Sequence, residues 1–154
     1  KELQYSKIHG NCFLNNTVGL LVDGGSDLNI HQNEIRDNGW GIRLISASTN
    51  DTIYRNNFMG NTFDMTTNVS YNRNRVDGNY WDKYEGYDLN KDGRGDVPFH
   101  PLSLFSVLAE QDETVLLFFR SFLMNLLDAT EKLLPTITPD NYVDNTPAMK
   151  PFKI

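Results

Sequence analysis

The chain has 154 residues, with 14 Lys and Arg against 20 Asp and Glu, a formal net charge of −6 and one cysteine. The acidic balance argues against generic nucleic-acid binding. No stretch has the length needed to span a bilayer, and a single Cys12 excludes an intramolecular disulfide.

The first half of the chain repeats. Ile8-x-x-Asn11-x-Phe13-x-x-Asn16 returns as Ile30-x-x-Asn33-x-Ile35-x-x-Asn38 and as Ile53-x-x-Asn56-x-Phe58-x-x-Asn61. A fourth copy is aligned as Tyr71-x-x-Asn74-x-Val76-x-x-Asn79, giving spacings of 22, 23 and 18 residues. A period in this range marks a solenoid, in which each repeat buries its apolar face against the next. Further columns follow as Val18/Trp40/Phe63 and Leu20/Ile42/Met65. No repeat segment shows the i, i+3, i+4, i+7 pattern of an amphipathic helix. Ile, Phe, Val, Thr and Tyr favour a pleated, half-buried surface. The recurrent Asn suits a bend in the left-handed region and can bond to its equivalent one rung away. The pattern predicts an all-β solenoid: a right-handed parallel β-helix with rungs about 4.8 Å apart and Asn at the corners. The leucine-rich repeat has a similar period, but its L-x-x-L-x-L signature is missing.

The chain divides into four zones: coils over 1–79, an acidic Gly-rich segment over 80–100, helices over 101–134 and an extended Pro-rich tail over 135–154. Residues 1–5 enter the first coil with no initiating Met and no cap. The expectation is therefore the C-terminal end of a longer solenoid, since an uncovered first coil is an edge prone to pairing. Cys12 shares a column with Glu34 and Asn57 and is expected to face outward.

The segment Asp88-Leu89-Asn90-Lys91-Asp92-Gly93-Arg94-Gly95-Asp96 matches the opening of a calcium loop. Asp88, Asn90 and Asp92 supply hard oxygens at alternate positions, Gly93 allows the turn, and Asp96 falls at position 9. Phe99 stands where a bidentate Glu belongs, so this is not an EF-hand. A structural Ca²⁺ is one reading. An acidic turn bonded to its own backbone is the other.

After it, a short helical segment over 102–109 is followed by a long apolar helix ended by Pro135. Ser121, Asn125, Asp128 and Lys132 form its narrow polar stripe. The rest of its circumference is apolar and has to be covered. Part of it is expected to close the last coil. The surplus around Leu116, Phe119, Phe122, Leu123 and Leu126 points to a partner, and the mixed charge of the stripe favours protein over bare lipid.

No phosphate loop, HExxH or zinc spacing occurs, and no catalytic residue is assigned. The coil acids Asp23, Asp27, Glu34, Asp37, Asp51 and Asp64 form no convincing pair. His9 and His31 share a column of adjacent coils, one rung apart, and Tyr54 continues it. With Met59 and Met65 near in sequence, a Cu(I) site can be drawn there. A pair of surface histidines is the plainer alternative, and Met65 falls in an apolar column.

These coils run into Gly78-Asn79-Tyr80-Trp81-Asp82-x-Tyr84-x-Gly86-x-Asp88-x-Asn90-x-Asp92-Gly93-x-Gly95-Asp96-x-Pro98. That segment, with the apolar helix and Pro-rich tail after it, resembles the C-terminal part of NosD-type proteins, periplasmic accessory proteins for nitrous oxide reductase maturation. The resemblance covers nearly the whole chain. It implies a CASH-like β-helix (the carbohydrate-binding and sugar-hydrolase type) in the periplasm, membrane-associated through a partner. It implies work with an ABC-type membrane subunit (NosY-like), its ATPase (NosF-like), a copper chaperone (NosL-like) and nitrous oxide reductase itself, with copper as cargo. It makes the apolar helix the docking element. It identifies no copper ligand and transfers no hydrolase activity. The expected function is a non-enzymatic maturation factor for copper-site assembly in denitrification. The alternatives are a polysaccharide-acting lyase, hydrolase or epimerase, and a carbohydrate-binding surface module.

Overall fold

The computed structural model describes residues 3–46, 48–68, 73–112, 114–115 and 142–154. The first coil contributes β1 (Lys7–His9), β2 (Cys12–Leu14) and β3 (Val18–Asp23). The second contributes β4 (Asn29–His31), β5 (Glu34–Arg36) and β6 (Trp40–Ile45), and the third β7 (Thr52–Tyr54), β8 (Asn57–Met59) and β9 (Phe63–Thr67). A fourth begins with β10 (Arg75–Asp77) and β11 (Tyr80–Trp81). Equivalent strands stack into three sheets, β1-β4-β7-β10, β2-β5-β8-β11 and β3-β6-β9. Every strand pairing is parallel. The predicted parallel β-helix is therefore the observed fold, and the columns of the first three copies are in the expected register.

The strands are short because a left-handed residue bends the chain between them. At the first corner these are Gly10, Gln32, Arg55 and Gly78, with φ of 66°, 52°, 53° and 65°. At the second they are Asn15, Asp37 and Gly60, with φ of 56°, 56° and 63°. The repeated Asn is the residue after each bend and does not itself adopt the left-handed conformation assigned to it from sequence. Its work is hydrogen bonding. Asn56 Oδ1 accepts from Asn33 N and Nδ2, both at 3.0 Å, while Asn56 Nδ2 donates to Ile30 O and to Asn79 Oδ1. Asn33, Asn38, Asn56, Asn61 and Asn79 are all buried. A parallel coil leaves backbone groups at each bend that the strand ladders cannot reach, and the buried amides satisfy them.

The fourth copy has a different register from the one read in the sequence. Val76, not Tyr71, pairs with Ile53, so this interval is 23 residues rather than 18. Asn79 extends the Asn11/Asn33/Asn56 ladder, and Trp81 takes the Phe58 column, with ring centroids 4.2 Å apart. Asn74 instead stands on Asp51, accepting from its backbone N–H at 2.9 Å. The chain carries Asn at 74 and at 79, so the motif fits twice. Burial of Trp81 on Phe58 and continuation of the amide ladder select the second fit. Tyr71 lies outside the described residues.

The inward columns Ile8/Ile30/Ile53/Val76, Phe13/Ile35/Phe58/Trp81 and Leu20/Ile42/Met65 form one core. Its far end is closed by Phe99, Leu102 and Tyr142. The short helix expected over 102–109 is α1 (Leu104–Gln111), capped by Ser103, whose side chain accepts from Ser106 N. It covers the flank of the third sheet rather than the end. Phe105 stacks on Phe63, and Glu110 makes a two-pronged pair with Arg43 at 2.7 and 3.0 Å. The long apolar helix expected beyond it, with Leu116, Phe119, Phe122, Leu123 and Leu126, lies outside the described residues.

Of the tail expected over 135–154, residues 135–141 lie outside the described residues. Residues 142–154 return to the last coil, where Ala148 N donates to Asn79 O at 2.8 Å. The Asp144 carboxylate accepts from Gly78 N, Asn79 N and Trp81 Nε1 at 2.8, 2.8 and 2.9 Å. In each coil an Asn passes its donors to the next Asn. The last rung needs acceptors for its donors, and the two oxygens of the Asp144 carboxyl provide them.

Candidate functional site

The predicted histidine column lies on the outer face of the first sheet. Along each short strand the middle residue, Ile8, Ile30, Ile53 or Val76, points into the core, so its neighbours point out. The parallel register then lines up His9, His31, Tyr54 and Asp77. The His9 and His31 rings lie with centroids 5.0 Å apart and planes within 1° of parallel. Tyr54 stacks on His31 at 4.9 Å. The column inferred from sequence is thus an actual ring stack on the surface.

Its geometry limits metal binding. An imidazole nitrogen directs its lone pair in the ring plane, and two parallel separated planes share no point. One ion held by both rings therefore requires one imidazole to turn. His31 Nδ1 also lies 3.2 Å from Gln32 Oε1. Met65 is fully buried in the core and unavailable to a surface ion. No group of three or more His, Cys, Asp or Glu side chains suited to a metal occurs among the described residues.

The acidic loop brings Asp88, Asn90, Asp92 and Asp96 together around its own backbone. Asp88 accepts from Asp92 N and Gly93 N, Asn90 from Asp92 N, Asp92 from Arg94 N, and Asp96 from Leu89 N. The loop is held against the fold by Tyr84, whose hydroxyl donates to Val97 O at 2.8 Å. A side chain at Gly86 or Gly95 would place its Cβ 2.0 Å from that hydroxyl oxygen, which explains both glycines.

Two coil acids, Asp51 and Asp64, are buried, and each lies within electrostatic reach of a second carboxylate, Asp27 and Asp82 respectively. Asp51 is buried against Ser48 and accepts from Leu28 N at 2.9 Å. Asp64 is buried beside Lys83, 3.1 Å away. Burial pushes both carboxyls above the usual range, despite the hydrogen bonds and, at Asp64, the ammonium that oppose it. Each is enclosed by the structure it bonds to. Cys12 is exposed, as its column predicts.

At the far end of the stripe a cleft of roughly 520 Å³ opens, lined in part by Tyr54, Arg55, Arg75, Asp77, Arg94 and Phe152. Four separate stretches of chain meet there, from the third coil, the fourth coil, the acidic loop and the tail. The sequence pattern offered no sign of it, because its arginines fall at a corner, on a strand and in a loop. The tail residue Phe152 reaches it only because Asn57 fixes it by two hydrogen bonds of 2.9 Å.

A family described as periplasmic copper-binding protein (NosD) matches residues 1–86, the coils and the start of the acidic loop. The chain belongs to the NosD family. Two relatives bear the name probable ABC transporter binding protein NosD. That from Stutzerimonas stutzeri is 31% identical over 124 residues, which is 79% of this chain and 28% of the relative. That from Pseudomonas aeruginosa strain PAO1 is 30% identical over 128 residues, 79% of this chain and 29% of the relative. The chain thus spans under a third of the length of these NosD proteins. The family is described as periplasmic, and no helix among the described residues is long and apolar enough to cross a membrane.

Proposed function

We propose that this chain is part of a non-enzymatic periplasmic scaffold that works with an ABC-type transporter in assembling the copper site of nitrous oxide reductase. The observation that carries the reading is the NosD family match over the coils. The family's description as copper-binding and the relatives' name as transporter-binding proteins support it. In this reading the solenoid is a rigid frame, and the apolar segment around Leu116, Phe119, Phe122, Leu123 and Leu126 docks on the transporter's membrane subunit. Its sequence is too rich in large apolar residues to be left in water. Substituting Phe119→Asp and Leu123→Asp together is expected to cut capture of that subunit from solubilised membranes at least tenfold. Equal capture by both forms rejects the docking.

Copper is the cargo in this scheme, and His9 with His31 is where two imidazoles meet on the described surface. Neutral imidazole is a competent ligand, and a turn of one ring would let both face one ion. Cu(I) affinity, measured against a competing chelator, is expected to fall at least tenfold in the His9→Ala/His31→Ala variant. An unchanged affinity removes the pair as a copper site.

A further inference from the structure

The cleft beyond Tyr54 has a chemistry of its own. Arg55, Arg75 and Arg94 meet Asp77 and Asp92 along its walls, three positive groups against two negative, in a chain of net charge −6. The two acids are already engaged. Asp77 accepts from Arg75 at 2.6 Å and from the Thr146 hydroxyl at 2.8 Å. Asp92 accepts from Arg94 N and from Asn90 Nδ2. Among the described residues, the guanidiniums of Arg55 and Arg94 have no carboxylate partner. Arg55 is nevertheless held in place, its guanidinium carbon 5.3 Å from the centre of the Phe152 ring, a cation–π contact that leaves the N–H edge of the fork open.

The geometry points to an oxyanion-binding site: the cleft takes a small ligand by a carboxylate or phosphate group held between Arg55 and Arg94. A guanidinium presents paired donors that match either group bidentately. Its volume falls within the range of small-molecule sites, about 300–1,000 Å³. The site stands independently of copper and of transporter docking, since none of its residues belongs to either.

The test is calorimetric titration of the full chain at low salt with inorganic phosphate, with D-glucuronate, and with D-glucose as the uncharged control. At least one oxyanion is expected to bind while glucose does not, and binding weakens as salt is raised. Arg55→Gln and Arg94→Gln are each expected to raise Kd about tenfold, the loss of one charge-assisted hydrogen bond. Arg36→Gln, on the second sheet, leaves Kd unchanged. Arg55 and Arg94 are both exposed, so thermal melts of their variants should overlay the parent's. Binding of phosphate alone or of glucuronate alone assigns the site to that group. Absence of binding by either, binding equal to glucose, or an equal loss in Arg36→Gln overturns the proposal.

Discussion

Asp144→Ala lowers the unfolding free energy by about 4 kcal/mol, at the upper end of single-substitution effects. The carboxylate is fully buried and takes donors from Gly78, Asn79, Trp81 and Thr146. Alanine leaves those of Asn79 and Trp81 enclosed without an acceptor, and each such orphan costs roughly 1–3 kcal/mol. The backbone pair between Asp144 and Phe99 survives the change, so the loss belongs to the side chain. Asp144→Asn retains one oxygen but turns an NH₂ toward existing donors, and should fall between parent and alanine. Urea unfolding of the three forms measures this, with amide exchange at Gly78 and Asn79 reporting where the fold opens. A loss below about 1 kcal/mol for alanine would mean that the end of the ladder needs no acceptor.

A change in the middle of the same ladder is the second large effect. Asn56→Ala removes the acceptor of Asn33 N and Nδ2 and the donor to Ile30 O and Asn79 Oδ1, all in a fully buried position. The expected cost is about 3 kcal/mol, from at least two unsatisfied buried groups. Asn11, in the first coil of this chain, is exposed, and its amide only donates, to His9 O and Asn33 Oδ1. Water replaces those bonds, so Asn11→Ala should cost under about 1 kcal/mol. The difference between the two denaturation midpoints is the measurement. Equal losses would show that the repeated Asn acts through local backbone preference rather than through burial of a hydrogen-bonded stack.

The two effects trace the limit of what the repeat reveals. The columns of Ile, Phe and Asn in the first three copies were legible because a solenoid presents the same environment once per coil. The fourth copy is ambiguous because the Asn spacing fits two registers, and only the stacking of Trp81 on Phe58 separates them. The bend residues are hidden for a related reason. Gly10, Gln32, Arg55 and Gly78 share a backbone conformation but no side-chain chemistry, so their column looks random. The Asn beside them is constant because its side chain has a fixed task.

The candidate sites divide in the same way. His9, His31 and Tyr54 share a surface stripe that follows from counting along the repeat. Asp144, Tyr142 and Phe152 lie in a stretch with no periodicity, and their positions follow from where the chain returns. Asp144 is chosen by the donors that the last coil leaves open, a need that exists only once Asn79 and Trp81 are in place.

The sequence by itself determined the parallel coil, its inward columns, the outward row of rings and the family resemblance. Each of these depends on residues one period apart or on a contiguous motif. Only the tertiary structure decided the register of the last coil, the carboxylate that ends the amide ladder and the cleft that gathers Arg55, Arg75 and Arg94. Those features join the coils to segments up to 95 residues away. Such contacts are selected by unsatisfied donors and uncovered apolar surface at the end of the solenoid, which no local pattern records.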